Sequence, residues 1–69
     1  MKEKYQGLGW YLTHENHGRG KLTGETREFY NAGLLHRKWL SRTDWVLTIS
    51  AKGIATCGSL GITSEPIPA

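Results

Sequence analysis

Between Leu35 and Ser50 the chain makes two short runs of alternating character around a polar break. Residues 35–39 and 45–50 are rich in aromatic and β-branched side chains, which predicts two strands. Leu40, Ser41, Arg42, Thr43 and Asp44 lie between them and are mostly turn formers. If these five residues form the loop, Trp39 opposes Trp45, Arg37 opposes Leu47 and Leu35 opposes Ile49. One face then carries Leu35, Trp39, Trp45, Leu47 and Ile49, with Arg37 as its single polar member. His36, Lys38, Val46, Thr48 and Ser50 take the other face. A four-residue loop would set Lys38 and His36 against Leu47 and Ile49. Such a one-residue slip turns every side chain over, so the five-residue loop is the preferred register.

Upstream the period lengthens. Leu22, Thr26, Phe29, Tyr30 and Gly33 share one side at helical spacing, and Arg27 and Asn31 share another that should face solvent. This predicts a helix over 24–32. Thr23 is placed to cap it, Glu25 and Glu28 complement its positive end, and Gly33 supplies a left-handed stop. Downstream, Ser50 can cap a third helix over 51–57 that ends at Gly58, with Ile54 and Cys57 pointing inward.

The first segment fits two templates. Tyr5, Leu8 and Leu12 suit one face of a helix, whereas Leu8, Trp10 and Leu12 alternate as in a strand. Gly7 and Gly9 each weaken a helix by about 1 kcal/mol relative to alanine. A short helix is preferred, with the strand left open. Residues 15–21, ENHGRGK, combine two glycines with charge and predict a loop. A glycine-rich basic loop can cradle phosphate through its amides, but this one lacks P-loop spacing and reads more simply as a surface turn. The expected architecture is a single α+β domain over 1–58, followed by an extended or disordered tail over 59–69 from which Leu60 and Ile62 could dock back.

Composition narrows the chemistry. Sixty-nine residues make one domain, and so short a chain buries only about 60% of its unfolded surface. Three tryptophans and three tyrosines argue for a packed core rather than disorder. The formal charge of +3 permits attraction to phosphates and excludes a densely acidic DNA mimic. Cys57 is the single cysteine, so no intrachain disulfide forms; it reads as a buried filler in a reducing compartment. No run is long or apolar enough to span a membrane, and no apolar stretch follows the N-terminal lysines. A cytoplasmic location with no membrane partner is expected.

His14 and His17 beside Glu15, with His36 elsewhere, fall short of a zinc ligand set and are expected on the surface. No metal or other cofactor is expected. Glu25, Glu28 and Asp44 read as a helix start and a turn rather than an acid–base pair, so the protein is not expected to be an enzyme. Trp10, Trp39 and Trp45 are expected in the core. An exposed one would instead serve as a protein-interface anchor, or as a stacking surface for single-stranded nucleic acid beside Arg37 and Lys38.

The order of elements adds one comparison. Gly33, Leu34, Leu35 and Arg37 follow a helix, two strands come next, and Ile49, Ser50, Lys52 and Gly53 open another helix. With Asp44 in the turn, residues 23–57 resemble the second half of the winged-helix domain of multiple-antibiotic-resistance-type repressors. The resemblance implies a small winged-helix-like fold whose hairpin is the wing, with two or three short helices and two strands. It implies Arg27 and Asn31 as base-edge or phosphate candidates on the recognition helix. It implies Arg37, Lys38 and Arg42 on the wing, where guanidinium suits phosphates and a narrow minor groove.

Two function classes follow. In the first, the chain is a small DNA-binding module, a transcriptional regulator or accessory factor. Arg37, Lys38 and Arg42 contact backbone phosphates, helped by Arg19, Lys21 and Arg27. A homodimer or a partner supplies the specificity that one small module lacks. The second class starts from two departures. Only about twenty residues precede Thr23, too few for a complete helix-turn-helix, and Glu25 and Glu28 flank Arg27. These favour a protein-interaction module, an inhibitor, antirepressor or adaptor of the kind phages and prophages carry.

Overall fold

The computed structural model describes residues 2–64. Its elements run α1 (Lys2–Tyr5), a 3-10 helix (Gln6–Leu12), β1 (Asn16–Arg19), α2 (Gly24–Asn31), β2 (Leu35–Trp39), β3 (Asp44–Ile49) and α3 (Ala51–Leu60). The class is α+β, with α-helices beside a three-stranded antiparallel sheet of order β1-β3-β2. This arrangement is compatible with a small winged-helix-like domain.

The hairpin takes the preferred register. Leu35 pairs with Ile49, Arg37 with Leu47 and Trp39 with Trp45. A polar lattice closes the turn. The backbone N–H groups of Leu40 and Ser41 donate to the Asp44 carbonyl, at 2.8 and 3.3 Å. The Ser41 hydroxyl donates to the Asp44 carboxylate at 3.1 Å and accepts from the Asp44 amide at 3.0 Å.

The third strand corrects the loop expected over 15–21. Asn16–Arg19 carries almost no apolar surface, yet its backbone pairs along β3, Asn16 with Leu47 through Arg19 with Asp44. Gly18 lies opposite Trp45, and a Cβ there would run into the indole. The glycine is what lets Trp45 lie across the strand and donate from Nε1 to the Gly20 carbonyl at 2.7 Å. The sheet therefore has a buried centre in β3 and a partner on each side, rather than two strands.

The N-terminal segment is helical, but from Gln6 to Leu12 it winds as a 3-10 helix. Its three-residue period turns Leu8 and Tyr11 to the same side, and both are buried. Tyr11 accepts a hydrogen bond from Asn16 at 3.1 Å, tying this segment to β1. Trp10 points the other way, stacked on His14 with ring centres 4.7 Å apart.

α2 buries Phe29 and leaves Arg27 and Asn31 exposed, as the spacing requires. Thr23 occupies the N-cap position but its side chain makes no capping bond. The C-terminus is closed by Gly33 at φ 79°. The Gly33 amide donates to Tyr30 and the Leu34 amide to Phe29, the paired bonds of a Schellman cap.

α3 begins where expected, with the Ser50 hydroxyl accepting from the Gly53 amide at 3.0 Å. It does not stop at Gly58, which adopts helical geometry. The helix runs to Leu60 and is closed by left-handed Gly61. The expected domain boundary at 58 therefore falls inside an element. Gly53 and Cys57, one turn apart, face the core, while Ile54 is turned outward, contrary to the inward position expected for it. Gly53 is at the interface because its Cα packs against the Leu34 carbonyl and the Ile49 side chain. Ile62 docks back and is buried. The rest of the expected tail, residues 65–69, lies outside the described residues.

The two short motifs flanking the hairpin meet in space. The Ala32 carbonyl accepts from Lys52 Nζ at 3.0 Å, the Gly33 carbonyl from the Ser50 hydroxyl at 2.7 Å, and the Leu34 carbonyl from the Ser50 amide at 3.0 Å. The carbonyls of the three residues that follow α2 are thus satisfied by the start of α3. One core results: Leu8, Tyr11, Phe29, Leu34, Leu35, Trp45, Leu47, Cys57 and Ile62. It lies on one face of the sheet. The opposite face presents His17, His36, Lys38 and Thr48 around Val46.

Candidate nucleic-acid interface

Four of the seven residues nominated from sequence converge on one groove. Lys21 and Leu22 reach it from the segment after β1, Arg27, Tyr30 and Asn31 from α2, and Arg37 from β2. The groove encloses about 420 Å³. A smaller groove of about 250 Å³ adjoins it, sharing Lys21 and Leu22 and bordered also by Arg19, Asn16 and Thr26. Among the described residues, no carboxylate lines either groove.

The acidic residues of α2 point elsewhere. Glu25 lies over Gly7, so close that a Cβ on that glycine would meet its carboxylate. Glu28 borders another depression, with Lys4, Tyr5 and Phe29, which meets the basic groove only at Asn31. The repulsion anticipated from the helix sequence is therefore directed toward the N-terminal segment, away from the basic groove.

Arg37 is the organising side chain. Register places it on the core face of β2, where a guanidinium cannot be left in apolar surroundings without partners. It is held between two aromatic rings, its Cζ 4.8 Å from the Tyr30 ring centre and 4.5 Å from that of Trp39. Both contacts are within cation–π range. Its Nε is buried and has no hydrogen-bond partner. The guanidinium is thus fixed in position and can direct its remaining donors to the groove it lines.

Trp39 is not in the core, which corrects the first expectation for it: 50% of its surface is exposed, whereas its cross-strand partner Trp45 is 5% exposed. The hairpin extends beyond the cover that α2 gives it, and Arg37 is what packs against the indole there. Leu40, next in the chain, is also exposed.

The remaining nominated residues are dispersed. Arg19 donates from Nε to Asp44 at 2.8 Å. That bond, with Ser41 second, holds the Asp44 carboxyl below the usual aspartate range and raises Arg19. Lys38 sits on the opposite sheet face, and Arg42 is exposed in the turn. The sequence reading missed Tyr30 and Leu22 as groove walls. It read both as the buried side of α2, and both are only half-buried.

Other chemistry is sparse. Among the described residues, no group of three or more His, Cys, Asp or Glu is placed to hold a metal. Cys57 is buried, and burial raises its thiol pKa. No described helix is long and apolar enough to cross a membrane. No known family model, curated protein or solved structure matches the chain.

Proposed function

We propose that the protein is a small nucleic-acid-binding module that grips phosphates in the groove between α2 and β2. The observation that carries this reading is the convergence of Lys21, Arg27 and Arg37 from three separate segments on one groove with no carboxylate in its walls. Cations brought together at a distance repel one another, and an anionic ligand relieves that repulsion. Asn31 adds a neutral donor and acceptor at the same wall. Lys21 and Arg27 contact phosphate as exposed side chains; Arg37 does so as a fixed one. In this reading the chain acts on DNA as a regulator or accessory factor, with dimerisation or a partner supplying specificity.

The test is fluorescence anisotropy with labelled oligonucleotides over a salt series. Three phosphate contacts give a log–log slope of about −2 on single strands and about −3 on duplex. The double substitution Lys21→Gln with Arg27→Gln is expected to flatten that slope by about two contacts. Affinity that ignores salt, or that the double variant retains in full, defeats the proposal.

Exposed Trp39 and Leu40 at the end of the hairpin favour a second reading, a protein-interaction module anchored there. Its signature is one stoichiometric protein partner whose binding survives nuclease and is lost on Leu40→Asp.

A further inference from the structure

We infer that the form of nucleic acid this site takes is single-stranded, with a base stacked on the open side of Trp39. The inference rests on the proposed function and specifies its ligand.

Three observations carry it. First, Tyr30, Arg37 and Trp39 form a series, ring, guanidinium and ring, whose inner member, Arg37, is held between the two rings. Arg37 covers one side of the indole, yet half of Trp39 remains exposed. Such a flat apolar surface, backed by an arginine that itself lines the basic groove, is what an unpaired base requires. Every base has a π-face, and stacking is tolerant of sequence.

Second, the same Arg37 that backs Trp39 also lines the groove with Lys21 and Arg27. A base on the open side of Trp39 is separated from Arg37 by the indole, so in this inference the strand runs on past the edge of Trp39 and brings its next phosphates to these cations. Stacking and charge act on one strand, side by side.

Third, the hairpin is poorly made for a duplex. Arg37, the cation expected to reach outward from the wing, is drawn back between the rings. The turn beyond Trp39 offers Leu40 and only one cation, Arg42. Lys38 faces the other side of the sheet. Bases stacked within a duplex have their faces covered, so Trp39 gains nothing from them.

The experiment compares three probes with the full chain at about 50 mM salt. They are an oligothymidylate of about twelve nucleotides, an abasic strand of the same length, and a duplex of the same length. Wild type is expected to bind oligothymidylate at least about fivefold more tightly than either other probe, and to lose tryptophan fluorescence on binding. Trp39→Leu is expected to remove that preference and the quenching while keeping its affinity for the abasic strand. Trp39→Phe, which keeps a ring, is expected to restore most of the preference. Circular dichroism and thermal melting verify that each variant is folded. Since Trp39 is half-exposed, Trp39→Phe provides a folded comparison if the leucine variant unfolds. Equal affinity for single strand and duplex, unchanged by Trp39→Leu but reduced by Lys21→Gln with Arg27→Gln, overturns this inference and leaves the proposed function standing. Absence of salt-dependent binding to all three probes overturns both.

Discussion

Gly53 and Gly58 lie in the same helix, five residues apart, and alanine should have opposite effects at the two positions. At either one, helix propensity alone favours alanine by about 1 kcal/mol. A Cβ at Gly58 meets nothing within 4 Å. Gly58→Ala is therefore expected to stabilise the fold by about 1 kcal/mol, raising the melting temperature by about 4–8 °C. At Gly53 the same Cβ would collide with the Leu34 carbonyl oxygen and with Ile49 Cγ1. The oxygen belongs to the backbone and accepts the Ser50 amide at 3.0 Å, so it cannot withdraw alone. Overpacking costs about 1–3 kcal/mol, and loosening that hydrogen bond costs about 1 more. Subtracting the propensity gain leaves Gly53→Ala destabilised by about 1–3 kcal/mol. The total stability of so small a domain is of order 3–10 kcal/mol, so the difference is large. Urea denaturation followed by tryptophan fluorescence, with circular dichroism alongside, measures both variants. Midpoints displaced in the same direction by similar amounts would refute the claim that α3 is pressed onto the sheet through Gly53.

Gly33→Ala is expected to cost about 1–2 kcal/mol in the same assay. The strain is purely conformational, since φ is 79° while the nearest atom to a new Cβ is Lys52 Cδ at 3.8 Å. Leu47→Ala, at a fully buried position in the central strand, is expected to cost about 2–5 kcal/mol. Asp44 titrates below its unfolded value because Arg19, then Ser41, donate to it. Its contribution is present above the unfolded aspartate pKa of about 4 and is lost as pH falls through the lower folded value. Urea midpoints measured downward from about pH 5 should therefore slope more steeply for the wild type than for Asp44→Asn. Cys57 should react with a thiol reagent only as fast as the core opens, so its labelling rate should rise with urea; immediate labelling in native buffer would contradict its burial.

The legibility of the chain followed its apolar residues. The hairpin register could be read because the five-residue loop puts Leu35, Trp45, Leu47 and Ile49 on a common face, whereas a one-residue slip does not. Phe29 and Gly33 likewise marked α2 and its end. Asn16–Arg19 carries no such signal: β1 is specified by the free edge of β3 and by Trp45 lying over Gly18. A lone glycine in a polar run was the available clue, and it reads equally as a turn. Ile54 shows the reverse failure, an isoleucine exposed because Gly53 and Cys57 claim the inner side of the helix. At the groove, sequence supplied the cations but not their grouping. Lys21 joins Arg27 and Arg37 because β1 delivers the chain to that side of α2. Sequence likewise placed Glu25 and Glu28 beside Arg27 without revealing that they face Gly7 and Tyr5 instead.

The strand order has a consequence for how the chain is made. β1 pairs with β3, not with the strand that follows it, and Gly9 packs against Ile62 and the Thr63 carbonyl. During synthesis, β1 therefore has no partner until β3 has emerged, and Gly9 gains its packing partners only with residues 62 and 63. The core around Leu8 and Tyr11 thus closes late, because the first segment of the chain is packed by some of the last described residues.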